Sequence, residues 1–440
     1  MSNDRTVPYA VTGIPIRTLR VDVLEGPNAG LSKLAGSEAL TIGTADGNDL
    51  VLADPTVSRY HLELSRVPGG ILVVDHGSTN GTSDGTARLE RAVVPAGTTL
   101  KLGRTAIRVG EGEDVTVELH RGETLGEIRG RSPIMRRLMA SIEKAAQTNT
   151  PVLVVGESGT GKELVARALH ELGPRSRGPF ITVDCGALAP TLVASELFGH
   201  ERGAFTGADR QHLGAFERAN GGTLFLDEIG ELPASLQSTL LGVLERRRFH
   251  RLGGSKEISV DVRIVSATNR DLRAEVNAGS YRLDLYYRLA VVVLTVPPLR
   301  DRLEDVPILV EHFLRECGYS GPIESLVSEP AMATLCCHRW PGNVRELRNV
   351  IEVTVAMGET PVVSGDEKSV AGEMAGNDPF VGLLDLPYKE ARSRLLQGFE
   401  QRYLSGLLKR CDNNVSKAAR TAQMDRSHLI DLLSRHQLKP

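Results

Sequence analysis

Eight consecutive residues, Gly156-Glu157-Ser158-Gly159-Thr160-Gly161-Lys162-Glu163, constrain this chain more than any other stretch. An apolar run, Val152 to Val155, leads into them, and Leu164, Val165, Ala168, Leu169 and Leu172 follow at helical spacing. Strand, glycine turn and helix in that order make a phosphate-binding loop. The glycines let the backbone curl so that successive N–H groups face one concavity. The helix N-terminus adds positive potential there, and Lys162 supplies a mobile charge for the outer phosphates. Where the general pattern has a Ser or Thr that holds magnesium, this chain has Glu163. Metal coordination must therefore lean on a carboxylate elsewhere.

Four further apolar runs, 180–183, 223–226, 262–267 and 291–296, alternate with helical segments, which predicts a parallel sheet covered on both faces. The run at 223–226 ends in Asp227 and Glu228. Adjacent acids delivered by a strand beside a phosphate loop fit Asp227 holding magnesium and Glu228 polarising an attacking water. Between loop and acids lies Gly203-Ala204-Phe205-Thr206-Gly207-Ala208. Its glycines predict a mobile tip with an exposed ring, which a partner would cover.

That hexapeptide, together with Ser266-Ala267-Thr268-Asn269, Pro297-Pro298-Leu299-Arg300 and the octapeptide Trp340 to Leu347, resembles the bacterial enhancer-binding proteins over about 125–357. These are AAA+ ATPases that activate sigma-54 RNA polymerase. The resemblance implies ATP and Mg2+ as cofactors, a homo-oligomer (a dimer growing to a hexamer or heptamer), and sigma-54 RNA polymerase and upstream promoter DNA as partners. It implies that Phe205 and Thr206 contact the sigma factor, that Asn269 is a first sensor and Arg345 a second, and that Arg282 and Arg288 reach the nucleotide of a neighbouring subunit. Six residues on a helix turn through about 240°, so these two arginines share a face only if the helix begins near Arg282. Surface pairing with Asp284 and Asp301 is the alternative. Asn343 and Glu346 read as a capping pair. Asp184 stands where relatives often place an asparagine that holds the catalytic glutamate away from water. An aspartate there repels Glu228 unless a proton or a third group intervenes.

Upstream, short β-type runs at 18–24, 39–43, 62–65, 71–75 and 99–109, separated by turn residues, predict an all-β sandwich over 1–112. Gly43, Asn48-Asp49-Leu50, Ser58-Arg59-Tyr60-His61, Asp75 and Ser78-Thr79-Asn80-Gly81-Thr82 resemble a forkhead-associated domain, a binder of phosphothreonine peptides. By that resemblance Ser58, Arg59, Thr79 and Asn80 face the phosphate and the peptide backbone, while His61 braces the loop. Thr44 departs from the family, which usually has a phosphate-gripping arginine there; the lost charge-assisted bond is worth roughly 1.5–3 kcal/mol.

At 440 residues the chain has room for about three domains. With 41% hydrophobic and 24% charged residues it reads as a soluble protein. No run approaches the roughly 20 apolar residues that span a bilayer and Met1 to Arg20 lack a signal-peptide core, so a cytoplasmic location without membrane attachment is expected. Five cysteines without paired spacing (Cys185, Cys317, Cys336, Cys337, Cys411) argue reduced thiols. The net charge of −3 is uneven: from Leu386 onward eleven Lys or Arg face five Asp or Glu, a local +6 that suggests a nucleic-acid module. There Leu395, Leu396, Phe399, Tyr403, Leu407 and Leu408 mark an amphipathic helix, either packing within the module or forming a dimer seam. Two short helices then follow, the second capped by Asp425, and resemble a Fis-type helix-turn-helix. That resemblance puts Arg426, Ser427 and His428 at base edges and Lys417 and Arg435 at phosphates.

The expected architecture is multidomain: an all-β sandwich (1–112), a linker (113–127), an α/β P-loop ATPase (128–358, helical lid from about 300), a second linker (359–386) and an all-α DNA-binding module (387–440). The expected function is ATP-driven transcriptional activation gated by the sandwich. A phosphopeptide-dependent repressor, in which ATP only controls assembly, is the alternative.

Overall fold

Apolar residues at every second position turn the N-terminal third into two facing sheets. The computed structural model describes residues 13–358 apart from 36–38, 68 and 187–188, together with Val415, Met424 and Leu433. The first sheet has the order β2 (Ser32–Leu34), β1 (Gly13–Glu25), β11 (Thr105–Glu118), β10 (Thr99–Leu102), β7 (Thr82–Ser83) and β8 (Arg88–Leu89). The second runs β4 (Leu50–Val51), β3 (Ala39–Gly43), β5 (Leu62–Val67), β6 (Gly70–Asp75) and β9 (Arg91–Val94). Leu19, Val21 and Val23 of β1, with Leu100 and Ile107, meet Leu40, Ile42, Leu64 and Val73 of the opposite sheet in one core. Each such side chain contributes about 1.5–3 kcal/mol by leaving water. The all-β expectation for this region is met.

The linker expected at 113–127 is not one. Strand β11 continues to Glu118, pairing Glu118 with Gly13 and Val115 with Ile16, and a small hairpin of β12 (Thr124–Leu125) and β13 (Ile128–Arg129) follows. The Gly, Glu and Asp content suggested a loop, but the partner strand β1 supplies the hydrogen bonds that overrule it.

Five strands form the central sheet in the order β15 (Phe180–Asp184), β16 (Thr223–Asp227), β19 (Arg263–Thr268), β14 (Val152–Val155) and β20 (Val292–Thr295), all parallel. Helices α1 (Pro133–Ala146), α2 (Lys162–Glu171), α3 (Pro190–Phe198), α4 (Ala215–Arg218), α5 (Ala234–Arg246), α6 (Leu272–Ala278) and α7 (Leu283–Leu289) accompany it, with a hairpin of β17 (Arg248–His250) and β18 (Glu257–Ser259). Val152, Val154, Phe225, Val265 and Ala267 are buried against α1 and α2, while Leu224, Leu226 and Ile264 enter the core with α3, α5 and α7. Both faces are thus covered, which explains why these strands read as nearly continuous apolar runs.

Arg263 places a charge inside this core. Arg263 is 1% exposed, and its guanidinium donates to the carbonyls of Ala145 (2.8 Å), Ala146 (3.2 Å) and Leu169 (2.9 Å). It closes the C-terminal ends of α1 and α2, whose last carbonyls have no partner within their helices.

The lid contains α8 (Val306–Glu316), α9 (Glu329–Cys337) and α10 (Asn343–Met357) around fully buried Trp340, whose indole N–H donates to the Leu335 carbonyl. Asp305 anchors the lid to the ATPase: fully buried, it accepts from the Arg131 and Ser132 backbone N–H groups and from the Ser132 hydroxyl, each at 2.7 Å. No helix among the described residues is long and apolar enough to cross a membrane.

Candidate active site

The loop after β14 takes the predicted shape. Gly159 (φ 78°) and Gly161 (φ 101°) are left-handed, and α2 starts at Lys162 with no side chain capping its first turn, so its leading N–H groups point into the loop. The Thr160 hydroxyl donates to the Glu157 carbonyl at 2.8 Å, bracing the curl. Lys162 is buried, and its ammonium donates to the Gly156 carbonyl at 3.0 Å and to Glu228 Oε1 at 3.3 Å. Glu163 turns outward to pair with Arg167 at 3.2 Å, a surface contact that leaves it no part in holding a metal.

Asp227 and Glu228 arrive on β16 directly across from this loop. Asp227 accepts from the Glu228 N–H at 3.0 Å. Burial pushes its carboxyl above the usual range, and the charges of Glu228 and Asp184 push the same way, against the Glu228 N–H and Lys162. Among the described residues no three such side chains form a metal cage, so Asp227 suits magnesium as a single carboxylate ligand, an ion that takes most of its other ligands from phosphates and water. Glu228 sits at φ 47°, a strained setting for a residue with a side chain, and its Oε2 accepts from the Asn269 N–H at 3.2 Å. Asn269 itself directly follows β19 and is exposed.

Asp184 braces the turn that follows β15. Its Oδ1 accepts from the Gly186 N–H at 2.8 Å, whereas Lys162 and the Asn269 backbone grip the glutamate. The cation in contact with Glu228 is Lys162.

The lid closes over the loop through Arg345, expected there as a sensor, and through contacts of Arg300 and Asn343 that sequence reasoning missed. Arg300 makes a double bond-pair with Glu157 at 2.8 and 2.6 Å. Asn343 donates to Glu157 (3.1 Å) and to the Ser158 carbonyl (3.1 Å), and accepts from the Leu299 N–H (2.8 Å). Arg345 reaches Ser158 Oγ at 3.1 Å, and its own N–H donates to the Gly159 carbonyl. A Cβ on Gly159 would stand 2.4 Å from the Gly342 carbonyl oxygen, so this close approach requires glycine. The capping pair is half right: Glu346 does accept from the Gly342 N–H at 2.8 Å, but Asn343 sits at φ 55° and serves the phosphate loop instead. An amide in a left-handed position, in an octapeptide already singled out, was the available signal.

Arg282 is the cap residue of α7 and Arg288 lies in its last turn, so the helix begins where a shared face demands. Both are exposed. Arg282 pairs with Asp284 at 2.7 Å and Arg288 donates to the Leu244 carbonyl at 3.2 Å. The Gly203–Ala208 turn closes on itself, Gly203 N–H to Ala208 carbonyl at 2.8 Å. Thr206 is exposed, whereas Phe205 is half-buried, its ring edge-on to His200 at 4.9 Å, rather than fully exposed as expected. An adjacent imidazole gives the ring a local apolar partner.

On the sandwich, Ser58 Oγ accepts from the Thr79 N–H at 3.0 Å, Asn80 donates to the Thr56 carbonyl at 2.8 Å, and Arg59, Thr79 and Asn80 are exposed at one end. Buried His61 accepts from the Ser58 N–H at 3.1 Å and meets the Gly81 carbonyl at 3.3 Å, which braces the loop. Lys417, Arg426, Ser427, His428 and Arg435, the second linker and the amphipathic helix lie outside the described residues.

Comparison with known proteins gives three family matches. A model described as "Sigma-54 interaction domain" matches residues 128–295, "AAA+ ATPase lid domain" matches 300–369, and "Inner membrane component of T3SS, cytoplasmic domain" matches 22–113. The chain is 47% identical over 311 residues to the transcriptional regulatory protein GlrR of Escherichia coli (strain K12), covering 70% of this chain and 67% of that protein. To the Nif-specific regulatory protein of Azotobacter vinelandii it is 44% identical over 314 residues, 68% of this chain and 60% of that one. The solved structure of NtrX from Brucella abortus in complex with ATP is similar at 37% identity with a TM-score of 0.51, covering 71% of this chain and 70% of that chain.

Proposed function

The chain belongs to the sigma-54-interacting AAA+ family of transcriptional regulators, and on that premise we propose that it binds upstream DNA and spends ATP hydrolysis on remodelling sigma-54 RNA polymerase. The central domain is an ATPase that uses magnesium. In this reading the α2 N-terminus and Lys162 would hold the phosphates, and Asp227 would hold a magnesium ion that supplies neutralisation of the charge developing on them. Glu228 leaves Lys162 and turns to the attacking water. Its present double restraint, by Lys162 and by the Asn269 backbone, keeps it idle until phosphates compete for the lysine. Asn269 reports the state of the nucleotide, Arg345 carries it to the lid, and Arg282 and Arg288 complete the site of the next subunit in a ring.

The observation that carries the polymerase reading is the Gly203–Ala208 turn, closed at its base and presenting Thr206 to solvent with Phe205 resting lightly on His200. Phe205 and Thr206 are its sigma-factor contacts. The end of the sandwich that displays Arg59, Thr79 and Asn80 around Ser58 is a forkhead-associated-type peptide sensor that gates the motor, and the basic C-terminal module docks DNA through Arg426, Ser427, His428, Lys417 and Arg435.

Promoter opening by purified sigma-54 polymerase tests this. Glu228→Gln should bind ATP yet open nothing, and Phe205→Ala should hydrolyse ATP at the normal rate yet open nothing. A Phe205→Ala protein that opens promoters normally refutes the polymerase reading.

A further inference from the structure

Two sandwich residues do not belong to the sandwich core. Tyr60 and Ala45 join the hydrophobic cluster of the ATPase, with Leu285, Tyr286 and Leu289 of α7. The Tyr60 ring, 2% exposed, stands edge-on to Tyr286 at 5.2 Å and 6.4 Å from Tyr287, with the Arg273 guanidinium 5.9 Å above it. Such an aromatic and cationic box outweighs plain area burial.

Polar contacts surround this plug. Asn277 of α6 donates to the Tyr60 carbonyl (2.6 Å) and the His76 carbonyl (2.9 Å), and accepts from the Tyr60 N–H (3.3 Å). Arg273 ion-pairs with Glu63, and His76 donates to Asp271 at 2.6 Å. The Gly47 N–H donates to the Tyr287 hydroxyl at 3.2 Å, and a Cβ at Gly47 would stand 2.5 Å from the Tyr287 ring, so the approach is tight.

We propose that this face is a docking surface in cis: the sandwich grips α6 and α7 of its own ATPase and restrains turnover until it lets go. The proposal rests on the gating role given above and supplies its contact. The gripped segment runs from Asp271 to Tyr287. Asp271, which caps α6 through the Arg273 and Ala274 N–H groups, follows Asn269 by two residues, and the Asn269 N–H holds Glu228. At its far end the segment carries Arg282 and leads directly into Arg288. One grip therefore constrains both the parts of the site made within the chain and those offered to a neighbour.

The same loops supply the candidate peptide rim. Arg59 precedes Tyr60, and Thr79 and Asn80 follow His76 closely; all three rim residues stay exposed while the sandwich is docked. A phosphothreonine peptide can thus reach the rim of the docked protein, and it releases the grip to the extent that it binds the undocked state better.

The experiment uses the full chain. Tyr60→Ala and Gly47→Leu attack the contact from the sandwich, and Asn277→Ala from the ATPase. None of the three lies in the catalytic machinery. Each should raise ATP turnover about fivefold or more, the lower end of ordinary coupling between sites. Amide hydrogen exchange should show α6 and α7 losing protection while the sandwich core keeps it. Turnover at or below the wild-type rate in Tyr60→Ala and Asn277→Ala proteins that unfold as cooperatively as wild type overturns the restraint. Unchanged protection of α6 and α7 overturns the docking itself. Promoter opening by the same proteins keeps the parent reading separate: variants that turn over faster yet open no promoter support the restraint and reject the polymerase function.

Discussion

Glu157 sits in a sequence motif whose glycines and lysine draw attention, yet its side chain ties the phosphate loop to the lid. The Arg300 guanidinium holds its carboxyl down at about 2, assisted by Asn343 and opposed by partial burial. A carboxyl with a depressed pKa contributes stability that is present above its ordinary range near 4.5 and lost as pH falls through about 2. Both partners are 40–45% exposed, so solvent screens the pair and its worth is about 0.5–1 kcal/mol. A double-mutant cycle of Glu157→Gln and Arg300→Gln, read by thermal unfolding, should give that coupling equally at pH 7 and pH 5. Coupling that disappears between those two pH values contradicts the assignment. For ATP binding the expected outcome of breaking the clasp is weaker lid closure, with chemistry at Glu228 intact.

Among the elements, α1, α2 and β19 depend on one buried cation. Arg263 has three carbonyl partners and no carboxylate in contact, and burial pulls its pKa below the usual arginine value. Replacing it with Met would keep volume but take the donor from the Ala146 and Leu169 carbonyls inside the core, at about 1–3 kcal/mol each, while Ala145 keeps Thr148 as a donor. The expected result is a fall in stability of about 3–5 kcal/mol, seen as a lower midpoint in urea at unchanged slope, with nucleotide affinity of the remaining folded protein near normal. A midpoint unchanged from wild type would reject this role. Helix α7 makes the complementary point about placement: a start at Leu283, directly after Arg282, puts one arginine at each end of a seven-residue helix.

For the whole molecule, the trans role proposed for Arg282 and Arg288 predicts that turnover needs parts from two subunits. Arg282 and Arg288 are exposed, as service to another subunit requires. Arg288→Ala and Lys162→Ala proteins should each be inactive as ATPases, and mixing them should recover part of the activity, because a Lys162-intact site then meets an Arg288-intact neighbour. Turnover measured across mixing ratios, with assembly followed by sedimentation, decides this; no recovery in any mixture that still forms rings argues against the trans role. The docked sandwich adds a second level, since it holds the segment that bears Arg282 and leads into Arg288.

The phosphate loop, Asp227-Glu228, the five parallel strands and the all-β N-terminal region were legible from the chain alone, because each depends on local chemistry: glycine dihedrals, strand periodicity, and the spacing of charges on short segments. The end of the sandwich was not legible, since β11 owes its last turns of pairing to β1 almost a hundred residues earlier. Nor was the partner of Glu228 or of Glu157, because which cation meets which carboxylate is set by the crossing of strands and the closure of the lid rather than by any neighbour in sequence. The largest gap concerned Tyr60. Read in its own segment it is one more apolar residue of a β domain. Only the packing of that domain on α6 and α7 makes it part of the ATPase core, since apolar burial has no direction of its own and is fixed by whichever surface the tertiary structure brings against it.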